Sequence, residues 1–280
     1  MIYKTQSQVM KNWLHGNRPL VSIVCVTYNH EKYISDAIEG FLMQETSFPF
    51  EIIIGEDCST DNTAKIVKKY TKKYPDIITA ITRSENIGGG INFRDCILKA
   101  RGSYIAYCDG DDYWTDKKKI EKQVSYFLND KYLSLSFHKV SVIQRKNEDY
   151  SYNIPKKKIL NFNDILFNNY IPMCTIMFNT KFLPAKYFSN EINNFKIGDV
   201  PMHLTLTNRA HAYFSSEIMA VYRRTASGLT NKPKQIISGR DAYISVFRYL
   251  RKNLDGTHWL ALTIMLLKTR LGVIKDFIKR

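Results

Sequence analysis

The strongest constraint on this chain is a rhythm. Residues 20–27 (LVSIVCVT), 51–55 (EIIIG), 77–82 and 103–108 (SYIAYC) are short apolar runs rich in β-branched residues, and helical patterns separate them. Ile34, Ile38, Phe41 and Leu42 recur at helical spacing over 31–43. Ser59 or Thr60 is expected to cap a second helix that runs to about Tyr74, with Asp61 in its first turn and Pro75 stopping it. A third helix is expected from Asn92 to about Ala100, after the Gly88-Gly89-Gly90 turn. Strands apolar on both faces, alternating with helices through short links, specify an α/β fold: a mainly parallel sheet covered on both sides.

In such sheets ligands bind outside the carboxyl ends of the strands. The apolar runs here end in Tyr28-Asn29-His30, Glu56-Asp57-Cys58-Ser59, the segment around Asn86, and Asp109-Gly110-Asp111-Asp112. Four separate segments are thus expected to converge on one crevice.

Beyond Tyr113 the pattern loosens. Residues 116–129 read as an amphipathic helix and 132–144 as a strand. Residues 145–163 read as a polar mobile loop. A strand-like run is expected within 169–179, a helix over 199–209, strands or a hairpin over 212–222, and two C-terminal helices over 234–253 and 257–278. The expected division is an N-terminal extension (1–19), a main domain (20–230, split at 115 into two halves) and a basic helical segment (231–280).

Charge refines the picture. The chain carries 41 Lys and Arg against 26 Asp and Glu, a net +15 that favours anionic partners. Residues 231–280 hold 11 of those cations and only 3 acids, so the tail supplies more than half of the excess. Leu260, Ile264, Leu267, Leu271, Ile274 and Phe277, interleaved with Lys268, Arg270, Lys275, Lys279 and Arg280, fit an amphipathic basic helix. It either rests on an anionic membrane or packs on the domain. No nucleic-acid-binding signature accompanies the tail, so no nucleic acid is expected. Five isolated cysteines argue against a disulfide framework or a zinc site. The N-terminal residues lack the apolar core of a signal peptide, and no run of about 18 apolar residues exists to span a membrane. The expected setting is cytoplasmic, with a peripheral position on the inner membrane face left open.

Three carboxylates within four residues, directly after a buried strand, repel one another unless a cation or hydrogen-bond donors compensate. Oxygen ligands of this kind suit Mg²⁺ or Mn²⁺. A solvated Asp-Gly turn is the alternative. Four ordered blocks bear on the choice: VSIVCVTYN (21–29), EIIIGEDCSTDNT (51–63), NIGGGINFRDCILKARG (86–102) and YIAYCDGDDYW (104–114). In this order and spacing the chain resembles glycosyltransferase family 2, densely over 20–130 and more loosely to about 225 through Gly198-Asp199 and Ala220–Arg223.

The resemblance implies a GT-A fold, a Rossmann-like nucleotide-binding sandwich, and inverting sugar transfer from a UDP-sugar to a cell-surface glycan such as a lipid-linked O-antigen or capsule unit. It implies nucleotide binding by Thr27, Tyr28, Asp57, Arg94 and Asp109, with Asp57 accepting from the base. It further implies a metal at Asp109 and Asp111, Asp112 near the donor sugar, and Asp199 as general base. Many relatives carry a metal-binding histidine after the Ala-Val-Tyr-Arg block, where this chain has Thr225; His203 or water is a candidate substitute. Arg223 and Arg224 either face the diphosphate or are solvated. His30 and His138 read as residues without chemistry. A GT-A protein that binds nucleotide or glycan without turnover is the alternative function.

Overall fold

A computed structural model of the chain describes residues 4–14, 18–143, 152–168, 170–184, 187, 199–225 and 235–271. The first strand, β1 (Val21–Thr27), is buried along its whole length. It lies between two parallel neighbours, β2 (Phe50–Glu56) and β4 (Tyr104–Tyr107), and β3 (Ile78–Thr82) extends β2 in the same sense. Alternation explains the continuous apolar runs. Ile23 and Cys25 of β1 enter one core, with Ile52, Ile54, Ala106 and Cys108, whereas Val24 and Val26 enter the other, with Ile53, Ile105 and Tyr107. Each strand therefore feeds two cores with period two.

One core is closed by α2 (Ile34–Leu42), α3 (Thr63–Lys73) and α5 (Lys119–Asn129). The other begins with α4 (Gly89–Lys99). Gly55 of β2 permits that contact, because a Cβ there would stand 2.3 Å from Asn92 Oδ1 and 2.6 Å from Cys96 Sγ. The Asn92 amide donates to the Gly55 carbonyl (2.8 Å), which fixes the helix against the strand.

The second half departs from a simple repeat. It comprises β5 (Tyr113–Trp114), β6 (Leu133–Ile143), β7 (Ile159–Leu160), α6 (Phe162–Phe167), β8 (Met177–Asn179), α7 (Asp199–Leu206) and β9 (His211–Arg223), then α8 (Gln235–Asn253) and α9 (Trp259–Arg270). The nine-stranded sheet runs β3-β2-β1-β4-β8-β6-β9-β5, with β7 on β9. Its long ladders are parallel, β6 with β9 included, while β8, β5 and β7 pair antiparallel. The N-terminal α1 (Gln6–Met10) packs Val9 into the first core, and Trp13 stacks edge-on against Phe50.

Several sequence expectations are corrected. Ser59 and Thr60 do not cap α3. Asn62 holds the N-cap position without a side-chain bond, and Asp61, just before the helix, accepts from the Thr63 amide (2.9 Å). Within the expected polar loop lie β7 and the start of α6, the latter capped by a reciprocal Asn161–Asp164 pair. The apolar run within 169–179 holds the expected strand only as β8, Met177–Asn179; Met173–Thr175 before it, following Pro172, form a 3₁₀ turn. Residues 211–223 form one strand, not a hairpin. The basic surface is not confined to the tail, since Lys65, Lys68, Lys69, Lys72 and Lys73 line the exposed face of α3. Residues 145–151, Gly198 and the tail beyond 271 lie outside the described residues, as do Ile274, Lys275, Phe277, Lys279 and Arg280 of the expected C-terminal stripe.

Candidate active site

The parallel ladder carries its geometry past the strand ends. The Asp57 amide donates to the Thr27 carbonyl (3.1 Å), and the Gly110 amide donates to the Val26 carbonyl (3.0 Å). Turns after β2, β1 and β4 therefore sit side by side. Among the described residues, the non-glycine residues with positive φ are Asn29 (56°) and Cys58 (60°), one in each of the first two turns. Such a conformation costs on the order of 1–2 kcal/mol. It is offset across the gap: the Asn29 amide donates to Ser59 Oγ (3.0 Å), and Asn29 Oδ1 accepts from the Thr60 amide (2.8 Å). Backbone strain concentrated this way marks functional turns.

Asp57 is buried. Its two oxygens accept from the backbone amides of Ile87 and Gly88 (both 2.9 Å), and its carbonyl accepts from the Asn86 side-chain Nδ2 (3.1 Å). The carboxylate thus anchors the turn ahead of α4 and retains acceptor capacity on each oxygen. Tyr28 beside it is 41% exposed, whereas Thr27 is buried with its hydroxyl 3.3 Å from His30 Nδ1. The structure pairs Arg94, on α4, with Asp95 (3.5 Å), which Arg83 also meets at 2.7 Å.

The acidic turn resolves into three different carboxylates. Asp109 receives the Tyr107 hydroxyl. Burial first, then the charge of Asp111 and that of Asp199, push its carboxyl up to about 7 against that bond. Asp111 is half-buried, with Oδ2 lying 3.4 Å from the Thr225 hydroxyl and 3.9 Å from His30 Nε2. Asp112 is 1% exposed and turns inward. It accepts from the Arg223 amide (2.8 Å) and the Cys174 thiol, while burial and the charges of Asp111 and Asp109 hold it well above the usual carboxylate range. Asp112, expected near the donor sugar, thus ties the turn to β9 from a buried position.

Arg223 completes that tie. Its guanidinium donates to Asp36 and to the Asp111 carbonyl (3.1 Å) and lies over the rings of Tyr113 (4.2 Å) and Tyr33 (5.3 Å). It braces the turn and is largely buried rather than solvated. Gly110 lets the turn close, because a Cβ there would stand 2.6 Å from Thr27 Oγ1 and 3.0 Å from His30 Nδ1.

Asp199 opens α7, with Oδ1 accepting from the Val200 amide (2.9 Å). Its charge acts on Asp109, on Tyr187 and on His203, so it belongs to the same neighbourhood. His203, one turn on, is enclosed; burial pushes it down to about 4, and Nε2 lacks a partner among the described residues. His30, read from sequence as inert, is the imidazole set against Asp111. Only Tyr-Asn-His directly after a strand, with asparagine tolerant of left-handed backbone, could have signalled it.

The acidic pair fits a divalent cation. Two carboxylates crowded at this turn, one pushed toward neutrality by burial and then by the other's charge, are stabilised as anions by such an ion. Among the described residues, no group of three His, Cys, Asp or Glu side chains forms a cage for a metal, so such an ion would complete its shell largely from outside the chain, with water and substrate oxygens, as Mg²⁺ sites commonly do. A separate cavity of about 240 Å³ lies between the second half of β6 and residues 170–172, with His138, Tyr152 and Phe214 in its walls. It includes none of the aspartates.

A family model for glycosyl transferase family 2 matches residues 22–183. The chain belongs to glycosyltransferase family 2. An uncharacterized protein of Mycobacterium tuberculosis is 37% identical over 211 residues, which are 75% of this chain and 60% of that protein; the chain spans only that fraction of its mycobacterial relatives. The putative teichuronic acid biosynthesis glycosyltransferase TuaG of Bacillus subtilis is 30% identical over 224 residues, covering 79% of this chain and 84% of TuaG. Among solved structures, Staphylococcus aureus TarS 1–349 in complex with UDP-GlcNAc aligns at TM-score 0.71 and 18% identity, over 90% of this chain and 72% of that one. The mannosyltransferase PcManGT of Pyrobaculum calidifontis, in complex with GDP-Man and Mn²⁺, aligns at 0.64 and 14% over 98% and 77%. These likenesses establish the GT-A fold expected from the sequence.

Proposed function

We propose that the chain transfers a sugar from a UDP-sugar to a hydroxyl of a cell-surface glycan acceptor, with inversion at the anomeric carbon. The observation that supports this best is the adjacency of the β1, β2 and β4 turns, which sets a buried base-accepting carboxylate (Asp57) beside the Asp109–Asp111 pair. Asp57 accepts from the imide of uracil while Tyr28 covers the ring. Arg94 contacts the nucleotide from α4. Asp109 receives the ribose or a metal-held water. A divalent cation, Mn²⁺ or Mg²⁺, held by Asp111 and Asp109 would neutralise the charge that grows on the leaving diphosphate.

Asp199 takes the proton from the acceptor hydroxyl. That oxygen attacks the anomeric carbon, the bond to the β-phosphate oxygen breaks, and UDP leaves with the electron pair. The single base suffices because the leaving group departs as a stabilised anion. We place the acceptor on a lipid carrier at the inner membrane face, where α9 would rest. Of that helix, Leu262, Met265 and Leu266 are buried, yet Leu260 (76% exposed), Ile264, Leu267 and Leu271 form a bare apolar stripe next to exposed Lys268 and Arg270. No described helix is long and apolar enough to cross a membrane.

The test is UDP release from a panel of UDP-sugars with glycan acceptors, alongside UDP affinity. Asp199→Asn should keep UDP affinity and lose about 10²–10⁴-fold in turnover. Unchanged turnover would remove Asp199 as base. UDP binding with no turnover across the panel by the wild type would favour a binding protein.

A further inference from the structure

His30 is held more firmly than a loop residue requires. Its amide donates to Thr63 Oγ1 (2.8 Å) at the start of α3, and left-handed Asn29 turns the chain so that the ring faces the acidic turn. Thr27 Oγ1 lies 3.3 Å from Nδ1, and Gly110, lacking a Cβ, lets the Asp109–Asp112 turn press against this Thr27–His30 pair. The other ring nitrogen, Nε2, stands 3.9 Å from Asp111 Oδ2.

That separation is informative. It is too long for a hydrogen bond. A cation bound about 2.1 Å from a nitrogen and an oxygen separates them by roughly 3 Å at a right angle and about 4.2 Å in line; 3.9 Å falls inside this span. The supporting contact is also of the required kind, because a ligating imidazole usually donates its second N–H to an oxygen that fixes ring and tautomer. Thr27 Oγ1 is positioned to accept from Nδ1. On the same Asp111 oxygen the Thr225 hydroxyl lies at 3.4 Å.

We propose that His30 Nε2 is a ligand of the divalent cation bound at Asp111, an imidazole donated from the end of β1. The inference rests on the metal-dependent reading of the acidic turn. It carries a consequence for metal choice: an imidazole ligand favours Mn²⁺ over Mg²⁺ more than an all-oxygen site does.

The experiment is pulsed electron paramagnetic resonance of Mn²⁺ bound to the full chain in the presence of UDP, with Mn²⁺ affinity measured from the free-ion signal. Wild type, His30→Ala, His30→Gln and Asp111→Asn are compared, and UDP binding without metal confirms that each variant is folded. The wild type should show ¹⁴N coupling that both His30 variants lose, with Mn²⁺ affinity down about tenfold or more. Mg²⁺ affinity should fall by a smaller factor. Wild-type Mn²⁺ without ¹⁴N coupling, or coupling that survives His30→Ala, overturns the proposal while leaving the Asp111 site intact. If Asp111→Asn binds Mn²⁺ as tightly as wild type, or the wild type binds none, the metal-dependent reading itself fails.

Discussion

Lys119 offers the sharpest test of the packing behind the acidic turn. The side chain is fully buried, its ammonium lies 4.0 Å from the Trp114 ring centre and donates to Gln123 Oε1 (2.6 Å), and Trp114 in turn donates to the Cys174 carbonyl (2.8 Å). Burial drives its pKa from 10.5 to about 7. Between those values the unfolded chain carries a proton that the folded chain lacks, so stability rises with pH across about 7 to 10.5. Below about 7 both states are protonated, and the full penalty applies. At about 1.4 kcal/mol per pH unit, that penalty is roughly 5 kcal/mol. Lys119→Met keeps the stem, removes the charge and leaves Gln123 Oε1 without a donor, at a cost of about 1–3 kcal/mol. Urea unfolding should therefore find the variant about 2–4 kcal/mol more stable than wild type at pH 6. At pH 10.5 it should be less stable by about 1–3 kcal/mol. A wild-type stability that is flat from pH 7 to 10, or a variant less stable at both pH values, would refute a desolvated lysine at this position.

Three further outcomes are expected. Asp112→Asn should unfold no more easily than wild type and keep measurable transfer, since an amide oxygen still accepts from the Arg223 N–H, whereas Asp112→Ala should lose about 1–3 kcal/mol; abolished transfer in a fully folded Asp112→Asn would return that residue to the donor sugar. Gly110→Ala should cost about 1–3 kcal/mol in stability through its clash with Thr27 and weaken UDP–Mn²⁺ binding, which calorimetry would read, and a wild-type affinity would contradict the close packing of the turn on His30. Leu260→Ser combined with Leu267→Ser should weaken sedimentation with phosphatidylglycerol vesicles at least tenfold, because each exposed leucine is worth about 1.5–3 kcal/mol when buried. Equal sedimentation of both proteins, or binding indifferent to anionic lipid, would assign the stripe of α9 to another partner.

The first half of the sheet was legible because every residue of β1 and β2 is buried, which favours apolar side chains on both faces (Ile23–Val26, Ile52–Ile54) and leaves the buried polar residues, such as Ser22 and Glu51, hydrogen-bonded to each other. The ends of those runs located the crevice for the same reason: the polar residues start where the sheet stops. The second half obscured this relation. β6 and β9 pair in parallel across about 80 residues, with register shifts between Leu133 and Val140, so neither strand announces its partner. Residues 159–167 hide β7 and a capped helix in a polar stretch whose few apolar side chains fit no single period.

The candidate site divides along the same line. Asp57, Asp109 and Asp111 follow buried strands directly, and position along the chain sufficed to find them. The inward turn of Asp112 depends on an amide 111 residues away, at Arg223, a contact no local pattern encodes. His30 likewise acquires its orientation from the left-handed Asn29 and from Thr63 of the next helix. Three identical carboxylates in DGDD thus look equivalent in sequence and differ entirely in structure.

The central claim is that one crevice at the ends of β1, β2 and β4 receives a uridine diphosphate. A crystal structure of the chain with UDP and Mn²⁺ tests it directly. Uracil should lie against Asp57 and Tyr28, with the diphosphate and ion at Asp109 and Asp111. Nucleotide bound elsewhere, for instance in the cavity beside His138, or no nucleotide density at saturating UDP, would contradict it.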